Sequence, residues 1–311
     1  MLSRRNFIQL MCKGAGALVS GVLISHTSQA RTEYESLTIL HTNDMHSRID
    51  PFPENSGKLS GLGGIAARAM HIAHIRREAQ HVLLLDAGDI FQGTPYFNFY
   101  KGEPEIRLMS EMGYDAATIG NHEFDGGMDN LAEQISRAKF PFVISNYDFT
   151  GTVMEGKTVP YHIIHRGKIK IGILGVGIAL EGLVASSMYG TTQYLDPIAK
   201  AREVSAYLKN KKQCDLVICL SHLGYEYSFA KISDCILAKE TDYIDLIIGG
   251  HTHTFLEKPT IIQNRKGSPV VINQAGWGGV RLGRLDYIFS NKKGSKLLNA
   301  QSVILRKQTR G

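Results

Sequence analysis

The sequence predicts an α/β sandwich, with helices outside a largely buried sheet system. Short, β-branched apolar runs recur along its 311 residues, helix-like stretches separate them, and 43% hydrophobic with 21% charged content suits a soluble chain with a core to bury. Runs at 37–40, 82–85, 116–119, 142–144, 169–176, 216–220, 244–248, 270–272 and 282–288 read as strands, because buried strands are short and apolar without interruption. Between them, 65–78, 105–112, 128–138, 197–209 and 229–239 read as helices, and Pro197 behind Asp196 marks a helix start. No fixed-period repeat, low-complexity tract or interdomain linker interrupts 36–290, which argues for one domain over 31–290. The turn-like run at 290–295 opens a basic tail, 291–311, whose one apolar patch at 303–305 fits either an edge strand or a severed linker.

Charge narrows the function. The formal net charge is +6, but Arg4, Arg5 and Lys13 stand unopposed in residues 1–30, and six basic residues stand unopposed in 291–311. The segment 31–290 is therefore slightly acidic, at −3, and offers no basic face for a nucleic acid duplex. Residues 1–30 read as an export signal: Arg4-Arg5-Asn6-Phe7 precedes an apolar stretch, and Ser28-Gln29-Ala30 is a small-x-small cleavage triplet. The paired arginines resemble the twin-arginine signal, which implies contact with export machinery and a periplasmic or exported destination. An ordinary secretory signal or a retained anchor is the alternative. Cys12 would leave with that segment, so Cys214, Cys219 and Cys235 remain, an odd set that reads as small buried hydrophobes and not as a disulfide framework.

The chemistry is expected just past strand ends, where five of the twelve histidines lie. In open α/β proteins these loops form the ligand crevice, so groups distant in sequence can meet there. Asp44 and His46 are two apart and, in an extended stretch, would share one face. Gly88 permits a sharp turn that presents Asp89, whose two oxygens could bridge two cations, while Asp86 reads as the cap of that turn. Asn121 offers a hard amide oxygen. His122 and Asp125 can form an imidazole–carboxylate pair, with a helix cap before 128–138 as the other duty open to Asp125. His222 follows 216–220, and His251 and His253 follow Gly249-Gly250. Each cluster alone is ordinary. Together, Asp44, His46, Asp89, Asn121, His222, His251 and His253 divide into two nitrogen–oxygen metal sites if Asp89 is shared.

The series Asp-x-His, Gly-Asp, Gly-Asn-His-Glu, His and Gly-His-x-His resembles the calcineurin-like metallophosphoesterases. The stretches 38–44, 63–68, 88–94 and 120–125 are similar to the bacterial 5′-nucleotidase and UDP-sugar hydrolase branch, over about residues 36–290. The resemblance implies a four-layer αββα sandwich, with Asp44, His46, Asp89 and His253 on one metal and Asp89, Asn121, His222 and His251 on the other. It also makes His122 and Asp125 the catalytic dyad. The ions would be two divalent metals, zinc, manganese, cobalt or iron, and the substrate a nucleotide or other small phosphoester. Members of the branch continue into a second domain that recognises the nucleoside, whereas this sequence stops at Gly311, so catalysis without that specificity is expected. Rival readings are a catalytic subunit whose specificity half is a separate polypeptide, a phosphodiesterase or UDP-sugar hydrolase, a thiosulfate-ester hydrolase, and a metal-stabilised binding module.

Overall fold

A computed structural model describes residues 34–290 and 294–306, all within the unit Glu33–Gly311. The export-signal reading of residues 1–30 lies outside the described residues. Thirteen strands are described: β1 (Tyr34–Thr42), β2 (Val82–Asp86), β3 (Ala116–Ala117), β4 (Tyr147–Asp148), β5 (Tyr161–Arg166), β6 (Ile169–Val176), β7 (Gln193–Tyr194), β8 (Leu216–Ser221), β9 (Leu246–Gly249), β10 (Thr260–Gln263), β11 (Pro269–Asn273), β12 (Arg281–Ser290) and β13 (Gly294–Ile304). The helices are α1 (Ile65–Glu78), α2 (Pro95–Tyr100), α3 (Glu103–Met112), α4 (Gly127–Arg137), α5 (Ser186–Tyr189), α6 (Pro197–Ala206) and α7 (Asp234–Glu240).

Two sheets dominate, one ordered β13-β12-β1-β2-β3 and the other β10-β11-β9-β8-β6-β5. Parallel pairing joins β1 to β2 and β2 to β3 in the first, and β6, β8, β9 and β11 in the second. The alternation of side chains across a strand then separates three apolar layers. Leu37, Ile39, Leu83 and Leu85 pack against Ile218, Leu220, Leu246 and Ile248 between the sheets. Their neighbours Leu40 and Leu84 face outward onto Ile72, Ile106, Met109 and Leu131 of α1, α3 and α4. Val217, Cys219 and Ile247 face the other way, onto Ala201, Val204, Leu237 and Ala238 of α6 and α7. Helix, sheet, sheet and helix thus stack as the four-layer αββα sandwich. Cys214, Cys219 and Cys235 are free and buried in the last of these layers.

Several expected boundaries move. Residues 142–144 form no strand of their own but touch Ala117 and Val159 through isolated bridges, because Phe142 and Val143 pair with different neighbours and no two successive residues share one. The helix expected over 229–239 begins at Asp234, where the Ser233 hydroxyl accepts the Ile236 N–H and fixes the first turn. The one expected over 197–209 ends at Ala206 and runs on as a wider π turn, Tyr207–Lys211. Residues 294–304 of the basic tail form β13, antiparallel to β12 at the rim of the first sheet. Parallel order has the largest consequence for chemistry, because it delivers the carboxyl ends of β1, β2, β3, β8 and β9 to one edge of the sandwich.

Candidate metal centre

The ladder between β1 and β2 does not stop at the strand ends. The Ala87 N–H donates to the Thr42 carbonyl (3.0 Å), Asp44 N–H to Gly88 (2.9 Å) and His46 N–H to Asp89 (3.0 Å), so the two loops leave the sheet as a pair. The backbone there is not extended, as spacing alone suggested. Asp44 (φ 49°), His46 (φ 50°), Asp89 (φ 55°), His251 (φ 71°) and His253 (φ 54°) all sit in the left-handed region. That conformation costs a non-glycine residue about 1–3 kcal/mol, and such strain persists where surrounding structure enforces it. It turns each side chain off the strand line toward one point.

Asp44 and His46 are fully or nearly buried, and His253 closes over them: its Nε2 lies 3.5 Å from Asp44 Oδ1 and 2.9 Å from His46 Nε2. On the far side, His222 Nε2 lies 3.0 Å from Asp89 Oδ2, and His251 Nδ1 lies 2.9 Å from Asn121 Oδ1. Potential ligand atoms of Asp44, His46 and His253 fall within 4.8 Å of one another, as do those of Asp89, His222 and His251, and those of His46, Asp89 and His122. All seven expected ligands therefore meet at one edge, and Asp89 links the two halves. The donor set fits a pair of cations on a further ground. His222 Nε2 is fully buried and faces only aspartate oxygens, Asp89 Oδ2 at 3.0 Å and Asp44 Oδ1 at 4.0 Å, without hydrogen-bond alignment to either, so nitrogen and carboxylate can share a cation. Its other nitrogen, Nδ1, bonds the Ala87 carbonyl at 2.7 Å and fixes the ring.

Close approach of backbone makes this crowding possible. A Cβ on Gly88 would come within 2.7 Å of the Gly120 nitrogen and 2.9 Å of His222 Nδ1, and one on Gly120 would collide with Asp89 Oδ1. Charges in the cluster are mutually set. Burial pushes Asp44 up, and the neighbouring Asp89 adds to this. Burial also opposes charge on Asp89, but His222 beside it outweighs that and holds Asp89 well below the carboxylate range. Burial works against a charged His222 too, yet Asp89 raises it to about 10. Burial pushes His46 down to about 4 and His251 down to about 3, leaving both rings neutral, the form that ligates. A cation entering the cluster would thus displace protons from Asp44 and His222, the two groups held up, and none from His46 or His251.

His122 opens a short 3₁₀ turn, His122–Gly126, in which its Nδ1 meets Asp125 Oδ2 at 2.7 Å. Asp125 does not cap the following helix, whose cap position is Gly126. Burial lowers the His122 pKa, and Asp125, Asp89 and Glu123 together more than restore it, for a net rise. Asp86 caps its turn as expected, accepting from Gly88 N–H at 2.9 Å and from the Thr42 hydroxyl at 2.6 Å.

Sequence reasoning assigned no role to Glu123 or Asn43, and both turn out to hold the loops. The buried Glu123 carboxylate accepts four backbone N–H groups, from Asp89 (2.9 Å), Ile90 (2.6 Å), Phe91 (3.2 Å) and Gly120 (2.6 Å). Asn43 donates to Asp44 Oδ2 and to the Gly276 carbonyl, both at 2.6 Å, and accepts the Ala275 N–H at 2.8 Å. Glu123→Gln should therefore destabilise the fold by about 2–3 kcal/mol, because the amide turns an N–H toward donors it cannot pair with. Chemical denaturation of the two chains at equal ionic strength checks this, and an unchanged midpoint would count against the clamp.

The sandwich and its strand-end histidines and carboxylates define a metallophosphoesterase, and the family model for calcineurin-like phosphoesterase matches residues 37–255. The chain belongs to that family. It is 34% identical over 295 residues to the snake venom 5′-nucleotidase of Crotalus adamanteus, an alignment covering 87% of this chain and 48% of the relative. Among solved structures, the 5′-nucleotidase precursor of Thermus thermophilus matches with TM-score 0.77 at 31% identity, over 87% of this chain and 55% of the other. The NAD nucleotidase of Haemophilus influenzae matches with TM-score 0.78 at 26% identity, over 88% of this chain and 57% of the other. The chain thus spans about half the length of these relatives.

Proposed function

We propose that this chain is a two-metal hydrolase of phosphate monoesters that removes phosphate from 5′-nucleotides. The observation that carries the reading is the convergence of seven ligand-type residues from five strand-end loops, with Asp89 common to both halves. Asp44, His46, Asp89 and His253 would hold one divalent ion, and Asp89, Asn121, His222 and His251 the other. When bound, such a pair would neutralise the phosphate dianion and lower the pKa of an attacking water. The protein's own part is to keep those donors fixed, through the strained loops and the Glu123 clamp, and to supply a proton. His122 does the latter: Asp125 takes Nδ1, which leaves Nε2 to hydrogen-bond a phosphoryl oxygen or protonate the leaving alkoxide. The basic, twin-arginine-like residues 1–30 support export to the periplasm as part of the same proposal.

The test is metal analysis joined to a substrate panel. The chain, stripped and reloaded with Mn²⁺, should bind two ions and release phosphate from nucleoside 5′-monophosphates, with activity lost to a chelator and regained on adding metal. Two bound ions with no phosphate released from any monoester would refute the proposal. Turnover of an aryl phosphate without nucleotide turnover would place nucleotide selectivity in a separate protein, which can then be sought by adding it back.

A further inference from the structure

His253 is the least enclosed of the candidate ligands. Its side chain is 40% exposed, against 0% for Asp44 and His222. Metal-binding imidazoles are normally oriented by a hydrogen bond from the ring nitrogen that faces away from the ion. His222 has one, to the Ala87 carbonyl at 2.7 Å. Among the described residues His253 has none, since its single hydrogen bond, Nε2 to His46 Nε2 at 2.9 Å, lies on the face that meets the other ligands. A half-exposed ring without an anchor would spread over several rotamers and lose that freedom on binding.

What the ring does have is the chain's single tryptophan. Trp277 stacks on His253 with ring centroids 5.6 Å apart and planes 15° from parallel. Phe52 meets Trp277 edge-on, at 5.4 Å and 85°, and the Arg48 guanidinium lies 4.1 Å from the Phe52 centroid. The backbone on either side of Trp277 is tied to both ligand loops. Gly276 N–H donates to the Thr254 carbonyl at 3.0 Å, one residue from His253, and Gly278 N–H donates to the Asp44 carbonyl at 2.7 Å. The Gly276 carbonyl takes the Asn43 amide at 2.6 Å. The indole is thus a wall whose footing is the same pair of loops that carries Asp44 and His253.

We infer that Trp277 is a positioning residue that holds the His253 imidazole in its ligating orientation by stacking, and so sets affinity for the cation on the Asp44–His46 side. The inference rests on the proposed ligand role of His253. A group that acts in place of the usual outer hydrogen bond should be worth what such partners are worth, about 10–100-fold in metal affinity. Trp277→Leu and Trp277→Gln remove the aromatic face, and Trp277→Phe keeps it.

Calorimetric titration of each metal-stripped, full-length variant with Mn²⁺, with metal content counted after desalting, separates the possibilities. The expected result is two ions at unchanged affinity for Trp277→Phe, and for Trp277→Leu or Trp277→Gln one ion unchanged and one bound about 10–100-fold more weakly. Either truncating variant suffices if the other misfolds, which a thermal melt shows. His253→Ala is the control. If it loses one ion while the truncated Trp277 variants keep both, the positioning role falls and the ligand reading stands. If His253→Ala keeps both ions, the ligand reading fails and takes this inference with it. A Phe variant as weak as the Leu variant would also overturn the inference, because the stacking face would then not be what matters.

Discussion

Replacing His122 by Asn should lower phosphate release by about 10²–10⁴-fold while both metal ions stay bound, the range typical of a lost general acid. The expectation turns on which of two jobs the imidazole does. His122 falls within ligand distance of His46 and Asp89, and its ring lies edge-on to that of His46 at 5.2 Å, so geometry alone admits it as a metal ligand. Its Nδ1, however, is taken by Asp125 at 2.7 Å, and its side chain is about one-third exposed, as a group that must reach substrate should be. Its contribution to holding Asp89 comes from the backbone, through an N–H that donates to Asp89 Oδ1 at 2.9 Å, and His122→Asn keeps that donor. Metal content measured beside turnover therefore decides the matter. Full metal with collapsed activity supports the acid, whereas loss of one ion in proportion to activity would make His122 a ligand and end its assignment as proton donor.

The sequence was most legible where period-two alternation coincides with complete burial. Leu83, Leu84 and Leu85 are all 0% exposed yet belong to two different layers, so an unbroken apolar run marked a strand covered on both faces, while the second sheet entered only through the family resemblance. Strand ends then pointed to the seven residues that the fold brings together, because parallel strands deliver their carboxyl ends to one edge. The backbone that aims them was not legible. Two-residue spacing pointed to an extended chain at Asp44 and His46, and the fold reaches the same convergence through left-handed residues instead. Short edge strands were missed for a different reason. β5 holds only the pair Ile163-Ile164 between two histidines, and β10 only Ile261-Ile262 between Thr260 and Gln263, apolar runs too short to contrast with loop. Glu123 was present in the Gly-Asn-His-Glu stretch, but its partners are backbone amides, which every residue type carries, so nothing in the letters marks them. Trp277 lies 24 positions beyond His253, and only the folding of the intervening β10–β11 hairpin brings the rings together.

Asp89→Asn is the change that should reach both halves of the centre at once. Asn keeps the shape of the side chain and loses its charge, so backbone contacts such as Asp89 N–H to Glu123 Oε2 should survive while both ions lose their shared anion. Uncoupling one member of a buried charged set costs about 3–5 kcal/mol, equivalent to roughly 10²–10⁴-fold in affinity. The effect is separable from misfolding by what metal does to stability. A folded chain that binds an ion at a thousandfold excess over its dissociation constant gains about 4 kcal/mol from mass action, and an ion that no longer binds contributes nothing. Metal-stripped wild type should thus melt markedly higher after Mn²⁺ is added, and Asp89→Asn should gain only a small fraction of that rise. Comparing the two metal-free chains gives the control, since in the stripped wild type Asp89 repels the buried Asp44 and Glu123 carboxylates and holds His222 charged, two effects of opposite sign that the variant loses together. An Asp89→Asn chain that takes up two ions and gains the full stabilisation would mean that the two halves share no carboxylate. The paired-ion chemistry would then need another bridge, for which Asp44, with Oδ1 3.5 Å from His253 Nε2 and 4.0 Å from His222 Nε2, is the remaining candidate.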